Sequence, residues 1–283
     1  MSKLNKTIGF LGAGNMAEAF VGALIRSDLC DPAEIYVSDI VKERLQIMEQ
    51  TYGVASTTDN AALYAQSDVV IMAVKPQQTA ELLSNITESQ PAPLSVKKLF
   101  ISIAAGIPIR KIEKYLYAPL EEKDRQKLPI IRVMPNTPAL VLAGISGMSA
   151  NQNAAAEDIQ VTKEILGALG DVMEFKESDL DAVTALSGSG PAYVFYLIES
   201  MIAGGIANGL DTQAAAQLTL KTIEGSVRLM QERSETAEDL RRKVTSPGGT
   251  TEAAVQVLDG RKVKETIVAA ITAATRRSQE LSR

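Results

Sequence analysis

The sequence predicts an α/β chain in which an N-terminal parallel-sheet domain, residues 1–176, is followed by an all-α domain, residues 177–283. Three observations predict it. Short apolar runs alternate with helical stretches at intervals of about 30 residues, the rhythm of strand–helix–strand crossovers. A glycine-rich turn joins the first run to the first helix, and the strand signal stops near Glu177.

In chain order, TIGFL (7–11) reads as a strand, residues 15–27 as a helix, EIYVS (34–38) as a strand and residues 42–52 as a helix. DVVIMAV (68–74) is apolar along nearly its whole length, so both its faces need cover, as in a parallel sheet. Residues 99–103 and 130–134 repeat the theme, while QPAPLS (90–95) and residues 116–129 read as surface connections. In the second half, residues 192–207 are mostly apolar and residues 214–231 amphipathic. Residues 262–281 set Val263, Ile267, Ala270, Ile271 and Ala274 at helical spacings. These helices are too apolar to face water around a lone domain, so a partner subunit is expected to cover them.

Composition removes several chemistries. The chain holds no His, which excludes an imidazole triad, a Cys–His pair and a His general base. Its single Cys30 can form neither an internal disulfide nor a thiolate metal cluster, so no metal is expected and a reducing interior fits. The net charge of −5 comes from 29 basic and 34 acidic residues that are scattered along the chain, which offers no footprint for nucleic acid. Glycines interrupt the N-terminal apolar stretch, no unbroken apolar run reaches the ~20 residues of a membrane helix, and a cytoplasmic, non-membrane location is expected.

Gly12-Ala13-Gly14-Asn15-Met16-Ala17 follows the first strand and opens the first helix. In a Rossmann-type domain the first glycine permits the tight turn and the second lets backbone approach a pyrophosphate. The small third residue lets helix pack on strand. Ser38 and Asp39 end the second strand, where such folds meet the adenosine ribose. A carboxylate there accepts from the 2′-hydroxyl of NAD and repels the 2′-phosphate of NADP unless a cation compensates, and Lys42 and Arg44 are near enough to do so. A plain turn residue is the competing account of Asp39, and both NADH and NADPH stay open. VKPQ (74–77), SIAAG (102–106) and MPNTPA (134–139) each follow a predicted strand, on the edge where open sheets place ligands.

Two stretches stand out in the helical half. SGSGPA (187–192) suits an N-cap with Pro in the first turn, a structural account preferred over ligand contact. In LRRKVTSPGGTTEAAVQVLD (240–259) a Ser-Pro-Gly-Gly turn separates two helices and exposes the N–H groups of Gly249, Thr250 and Thr251 beside hydroxyls, a pocket for a small carboxylate. An ordinary helix–turn–helix joint capped by Thr250 or Thr251 is the competing account.

Through IGFLGAGNMAEA, AVKPQ, SIAAG, MPNTPAL, LSGSGPAYVF and SPGGTTEAAVQVLD, the whole chain resembles the pyrroline-5-carboxylate reductase family, enzymes of the last step of proline biosynthesis. The resemblance implies an N-terminal Rossmann domain and a C-terminal dimerisation domain, with dimers gathering into larger rings, a decamer of dimers. It implies cofactor contacts at Leu11, Gly12, Ala13, Gly14, Asn15, Met16, Asn60, Val74, Lys75 and Ala105, to which the strand ends add Ser38, Asp39, Pro76 and Asn136. Substrate contacts fall on Glu177, Thr250 and Thr251, with Ser246, Gly248 and Gly249 completing the turn and the Thr251 hydroxyl beside the ring nitrogen. Intertwined helical domains would bring the Thr251 loop to a neighbouring subunit's cofactor. Asp39 stands where relatives that favour NADP often carry a neutral residue, and Lys243 replaces an Asn near the cofactor in some members.

The implied reaction passes a hydride from NAD(P)H to the cyclic imine 1-pyrroline-5-carboxylate, giving L-proline. A protonated iminium is already electrophilic, so Thr251 is expected to orient the ring at a near-attack distance of ~3–3.5 Å rather than act as a strong acid. A β-hydroxyacid dehydrogenase shares the glycine turn but uses a Lys early in its helical domain, and none occurs between Lys176 and Lys221. A non-catalytic dinucleotide-binding redox sensor would have no use for a carboxylate pocket.

Overall fold

The computed structural model describes residues 3–89, 94 and 96–282, so QPAPLS lies outside the described residues apart from Leu94. Eight strands run β1 (Ile8–Leu11), β2 (Ile35–Ser38), β3 (Ala55–Thr57), β4 (Val69–Met72), β5 (Leu99–Ser102), β6 (Ile130–Met134), β7 (Gly144–Ala150) and β8 (Gly170–Glu174). Between and after them lie α1 (Asn15–Arg26), α2 (Lys42–Tyr52), α3 (Asn60–Gln66), α4 (Thr79–Ser89), α5 (Ile109–Leu116), α6 (Glu122–Arg125), α7 (Ala156–Gly167) and α8 (Leu180–Val183). The chain then continues through α9 (Gly190–Ala207), α10 (Thr212–Arg233), α11 (Ala237–Lys243), α12 (Thr250–Gly260) and α13 (Val263–Leu281). Residues up to Ser189, together with those from Ala274, form one compact unit; Gly190–Ala273 form the second.

The first unit is a single sheet of order β3-β2-β1-β4-β5-β6-β7-β8 with helices on both faces. Successive side chains point to opposite faces. Phe10, Ile71, Ile101 and Ile131 accordingly pack with α1 and α7, while Leu11, Val70, Phe100 and Ile130 pack with α3, α4 and α5. Burying each such side chain stabilises the fold by roughly 1.5–3 kcal/mol.

Three expectations are corrected. The sheet is not wholly parallel, because β6 pairs antiparallel with β7. GISGMSA and GDVME escape a reading by apolar runs because they are interrupted by glycine or charge; Gly170 holds φ +147° and its Cβ position falls 2.0 Å from the Gly144 carbonyl oxygen, so only glycine lets these backbones meet. Residues 116–129 are no mere surface connection. Tyr117, Leu120 and Leu128 are buried there, and the Tyr117 hydroxyl donates to the Leu128 carbonyl at 2.7 Å.

One charged cluster is structural. Arg132, buried on β6, faces Glu177 at 3.4 Å and Asp181 at 3.8 Å, and Asp181 Oδ1 accepts from the Ser278 hydroxyl at 2.7 Å. A buried guanidinium needs such partners, and this set ties the C-terminal turn of α13 to the first unit.

Lys98 is buried as well; its ammonium donates to the Ser67 carbonyl and lies 5.0 Å from the Tyr64 ring centre. Burial lowers its pKa from 10.5 to about 8. The folded protein therefore releases this proton before the unfolded chain does, and between those two values stability rises with pH. The melting temperature of the parent relative to Lys98→Met should climb between about pH 8 and 10.5. A pH-independent difference would show that Lys98 does not titrate in this window.

In the second unit, Asp211 caps α10 by accepting from Ala214 N at 2.9 Å, and Thr236 caps α11 by accepting from Asp239 N at 3.1 Å. Gly205 lets α9 and α10 approach closely, its Cβ position lying 3.0 Å from that of Ala215. The N-cap expected in SGSGPA does not form: residues Thr184–Gly188 wind as a π-turn, Ser189 is already helical at φ −84°, ψ −19°, and Gly190 opens α9. α9 has no buried residue in the single chain, and Phe195, Tyr196 and Leu197 are 53–74% exposed.

Candidate active site

Parallel registry pairs Leu11 with Ser38 and Met72, and Met72 with Ser102, so the carboxyl ends of β2, β1, β4 and β5 stand level. Strand order reverses between β1 and β4, which opens a crevice at that edge. Gly12 sits in it with φ +105°, donating its N–H to the Ser38 carbonyl at 2.7 Å. Its Cβ position lies 2.9 Å from the Ala73 carbonyl oxygen and 3.2 Å from Val74 Cγ1, so a side chain would strike β4's exit.

Gly14 differs in kind. Its backbone is extended, and nothing lies within 4 Å of its Cβ position. No side chain caps α1, while Ala17 is fully buried and brings the helix onto the strand. An open space that a single Cβ would enter, at the positive end of a three-turn helix, fits a dinucleotide pyrophosphate.

A cavity of about 430 Å³ continues from the turn, with Gly12, Ser38, Asp39, Asn60 and Val74 among its lining. The Ser38 hydroxyl donates to Asn60 Oδ1 at 2.7 Å. Asp59 Oδ1 accepts from Ala61 N and Ala62 N at 2.9 and 3.0 Å, which fixes the start of α3 beside them. Gln78 and Glu81 also line the cavity and escaped the sequence reading, because no pattern marks which crossover segment will flank it.

Asp39 is more than a strand terminus. Its Oδ2 accepts from Ala13 N at 2.7 Å and its Oδ1 from Val41 N at 2.9 Å, which pins the glycine turn against β2. Arg44, expected to be available to a phosphate, is paired within the domain: Nε donates to the Ala13 carbonyl at 2.8 Å and Nη2 to Glu18 at 2.6 Å. Leu11 is buried, so it can offer a ligand its backbone alone, whereas Asn15, Lys75 and Ala105 are exposed and Met16 and Pro76 half-buried. Asn136 spends its side-chain carbonyl on Ile145 N at 3.0 Å.

In the second unit the chain turns between α11 and α12 with Gly248 at φ +70°. Gly249 is the N-cap of α12 and no side chain caps the helix, so neither threonine is used as a cap. Thr250 is exposed and Thr251 half-buried. The expectation that Gly249 offers its N–H to a ligand is corrected: that group closes the turn onto the Ser246 carbonyl at 3.0 Å. Gly248 N–H is also engaged, donating to Glu252 Oε2 at 2.7 Å, which leaves the first turn of α12 as backbone that no side chain caps. Glu252 went unnoticed in sequence although a glutamate at the third helical position is a known N-terminal signal. Lys243 pairs with Glu235. Glu177 belongs to the first unit, where Oε1 accepts from Ile109 N at 2.7 Å and faces Arg132. Among the described residues, no group of three His, Cys, Asp or Glu could hold a metal ion.

A family profile described as pyrroline-5-carboxylate reductase dimerisation matches residues 177–281, and one described as NADP oxidoreductase, coenzyme F420-dependent, matches residues 7–106. Pyrroline-5-carboxylate reductase of Corynebacterium melassecola is 38% identical over 277 residues, spanning 98% of this chain and 99% of that protein. The chain belongs to the pyrroline-5-carboxylate reductase family. The crystal structure of the Plasmodium falciparum pyrroline carboxylate reductase with NADP bound superposes with a TM-score of 0.87 at 30% identity, covering 100% of both chains. That of a Coxiella burnetii pyrroline-5-carboxylate reductase gives 0.86 at 35% identity, covering 98% and 99%.

Family membership bears on one further feature. Residues Glu177–Ala207 form a helical stretch that holds an 18-residue window of mean hydropathy 1.2, by length and composition alone enough to cross a membrane, although Glu199 and Ser200 keep it from being an unbroken apolar run. The same residues open the pyrroline-5-carboxylate reductase dimerisation match, and a subunit interface needs apolar surface of this kind.

Proposed function

We propose that the chain reduces 1-pyrroline-5-carboxylate to L-proline with NAD(P)H, the closing step of proline biosynthesis. The observation that carries this reading is the start of α12: two threonine hydroxyls and a backbone first turn that no side chain caps, after a turn closed by Gly249 and Glu252. A carboxylate substrate suits that first turn. The fold-level alternative, a redox sensor, leaves it without a purpose.

The bound dinucleotide supplies the hydride. Residues 11–16, Ser38, Asp39, Asn60, Val74, Lys75, Pro76, Ala105 and Asn136 form the surface proposed to hold it. Ser246, Gly248 and Gly249 shape the substrate turn, Thr250 and Thr251 meet the acid group, and the Thr251 hydroxyl hydrogen-bonds the ring nitrogen. As the ring carbon gains its hydride, the C=N π pair passes to nitrogen, which keeps the proton it carried as an iminium. Thr251 therefore orients and need not titrate. Glu252 fixes the turn by accepting from Gly248 N–H. Glu177 is proposed as a substrate contact on the family resemblance; in the single chain its carboxylate holds Ile109 N–H and faces Arg132. Subunits pair through the helices of residues 177–283, dimers gather into a decamer of dimers, and the enzyme works in the cytoplasm.

Loss of reduced-nicotinamide absorbance on adding 1-pyrroline-5-carboxylate, with L-proline as the product, is the expected result. Cofactor binding without turnover would favour the sensor and overturn the reading.

A further inference from the structure

We propose that this reductase is built for NADH, and that an Asp39–Arg44–Glu18 latch across the glycine turn is what turns NADPH away. The inference rests on the reading that the glycine turn holds a dinucleotide. It does not depend on the imine substrate.

Both oxygens of Asp39 are held. Each accepts one backbone N–H, from Ala13 and from Val41, so the carboxylate is held at the mouth of the cavity and cannot swing aside. A carboxylate has about four lone-pair sites, of which these bonds use two, and a ribose 2′-hydroxyl can donate to a third. A 2′-phosphate brings a charge of about −1.5 to −2 and no proton to share with it.

A cation could reverse this outcome. Arg44 lies against the turn, where its Nε is on the Ala13 carbonyl and its Nη2 on Glu18 Oε2, which holds the guanidinium toward α1 and sets a carboxylate beside it. The guanidinium thus grips the same residue from its carbonyl side that Asp39 grips from its N–H side. Ala13 is the link in a chain of contacts from Asp39 to Arg44 to Glu18, in which Glu18 offsets the positive charge. The cavity lining itself contains Asp39, Asp59 and Glu81 and neither Lys nor Arg. Lys42, the other cation considered, is an exposed first residue of α2 and is absent from that lining. A cavity with three carboxylates and no cation accepts a neutral ribose and opposes a dianion.

The test is direct binding to the substrate-free enzyme, read from the nicotinamide fluorescence of NADH and of NADPH. The parent should bind NADH at least about tenfold more tightly than NADPH. Glu18→Gln keeps Asp39 in place and releases the guanidinium, so the NADPH affinity should rise several-fold while the NADH affinity holds. Adding Asp39→Ser should bring the ratio to one or invert it. Lys42→Ala should leave the ratio unchanged. Equal or tighter binding of NADPH by the parent overturns the proposal, and so does a ratio that Glu18→Gln and the double variant leave unmoved. NADH selectivity without imine turnover would sink the proposed function and leave this inference standing; binding of neither cofactor would overturn both.

Discussion

Gly14→Asp is expected to melt no lower than the parent and to lose more than about 100-fold in affinity for both nicotinamide dinucleotides, a change of ~2.7 kcal/mol. The two halves of that expectation have separate causes. Gly14 is the N-cap of α1 with φ −72° and ψ 178°, a conformation any residue adopts, and its Cβ position meets nothing within 4 Å. Aspartate is among the better N-caps, so α1 should gain or keep stability. The same carboxylate would stand where a pyrophosphate must sit, adding bulk and repulsion at once. Gly12→Ala is the contrasting case, because φ +105° and a Cβ position 2.9 Å from the Ala73 carbonyl oxygen strain the backbone itself. Calorimetry and cofactor titration distinguish them: one variant loses binding alone, the other binding and stability together. Undiminished dinucleotide affinity in Gly14→Asp would mean that the turn holds no pyrophosphate.

Thr251→Ala is expected to lower kcat for the imine by about 100-fold, the scale of a misplaced reacting group, with NADH and NADPH affinities unchanged. The hydroxyl is proposed to hold the ring nitrogen, an interaction that matters most as the π pair arrives there, so the loss should appear in kcat more than in KM. Thr251→Ser should recover most of the rate, since it keeps the oxygen and loses only a methyl. Because neither threonine caps α12, the alanine variant should retain the parent's melting temperature. Steady-state kinetics beside a melting curve checks this. An unaltered kcat and KM would remove Thr251 from the mechanism.

How much was visible beforehand depends on how local the cause was. β4, β5 and β6 announce themselves because a strand covered on both faces must be apolar throughout, and VVIM, LFIS and the II of IIRVM are fully buried. β7 and β8 do not, since glycine and charged residues interrupt them. The reversed direction of β6 against β7 leaves no trace in a pattern that alternates identically in either direction. Similarly, residues 116–129 look polar yet bury Tyr117 and Leu128, because burial there depends on a distant Asn151 and Asn153 donating to the Tyr117 hydroxyl.

The site divides along the same line. Its glycine turn and its Ser-Pro-Gly-Gly-Thr-Thr turn are legible from residue order, since φ preference, helix starts and the reach of an N–H group are set within a few neighbouring residues. Whether a charge is available to a ligand is another matter. Asp39 and Arg44 stand 26 and 31 residues from Ala13, and Arg44 also 26 from Glu18; folding β2 beside β1 and α2 beside α1 is what brings them together. Ionic pairing is a property of which elements become neighbours, so the chain order could name the charged residues but not which of them would be left over for a phosphate.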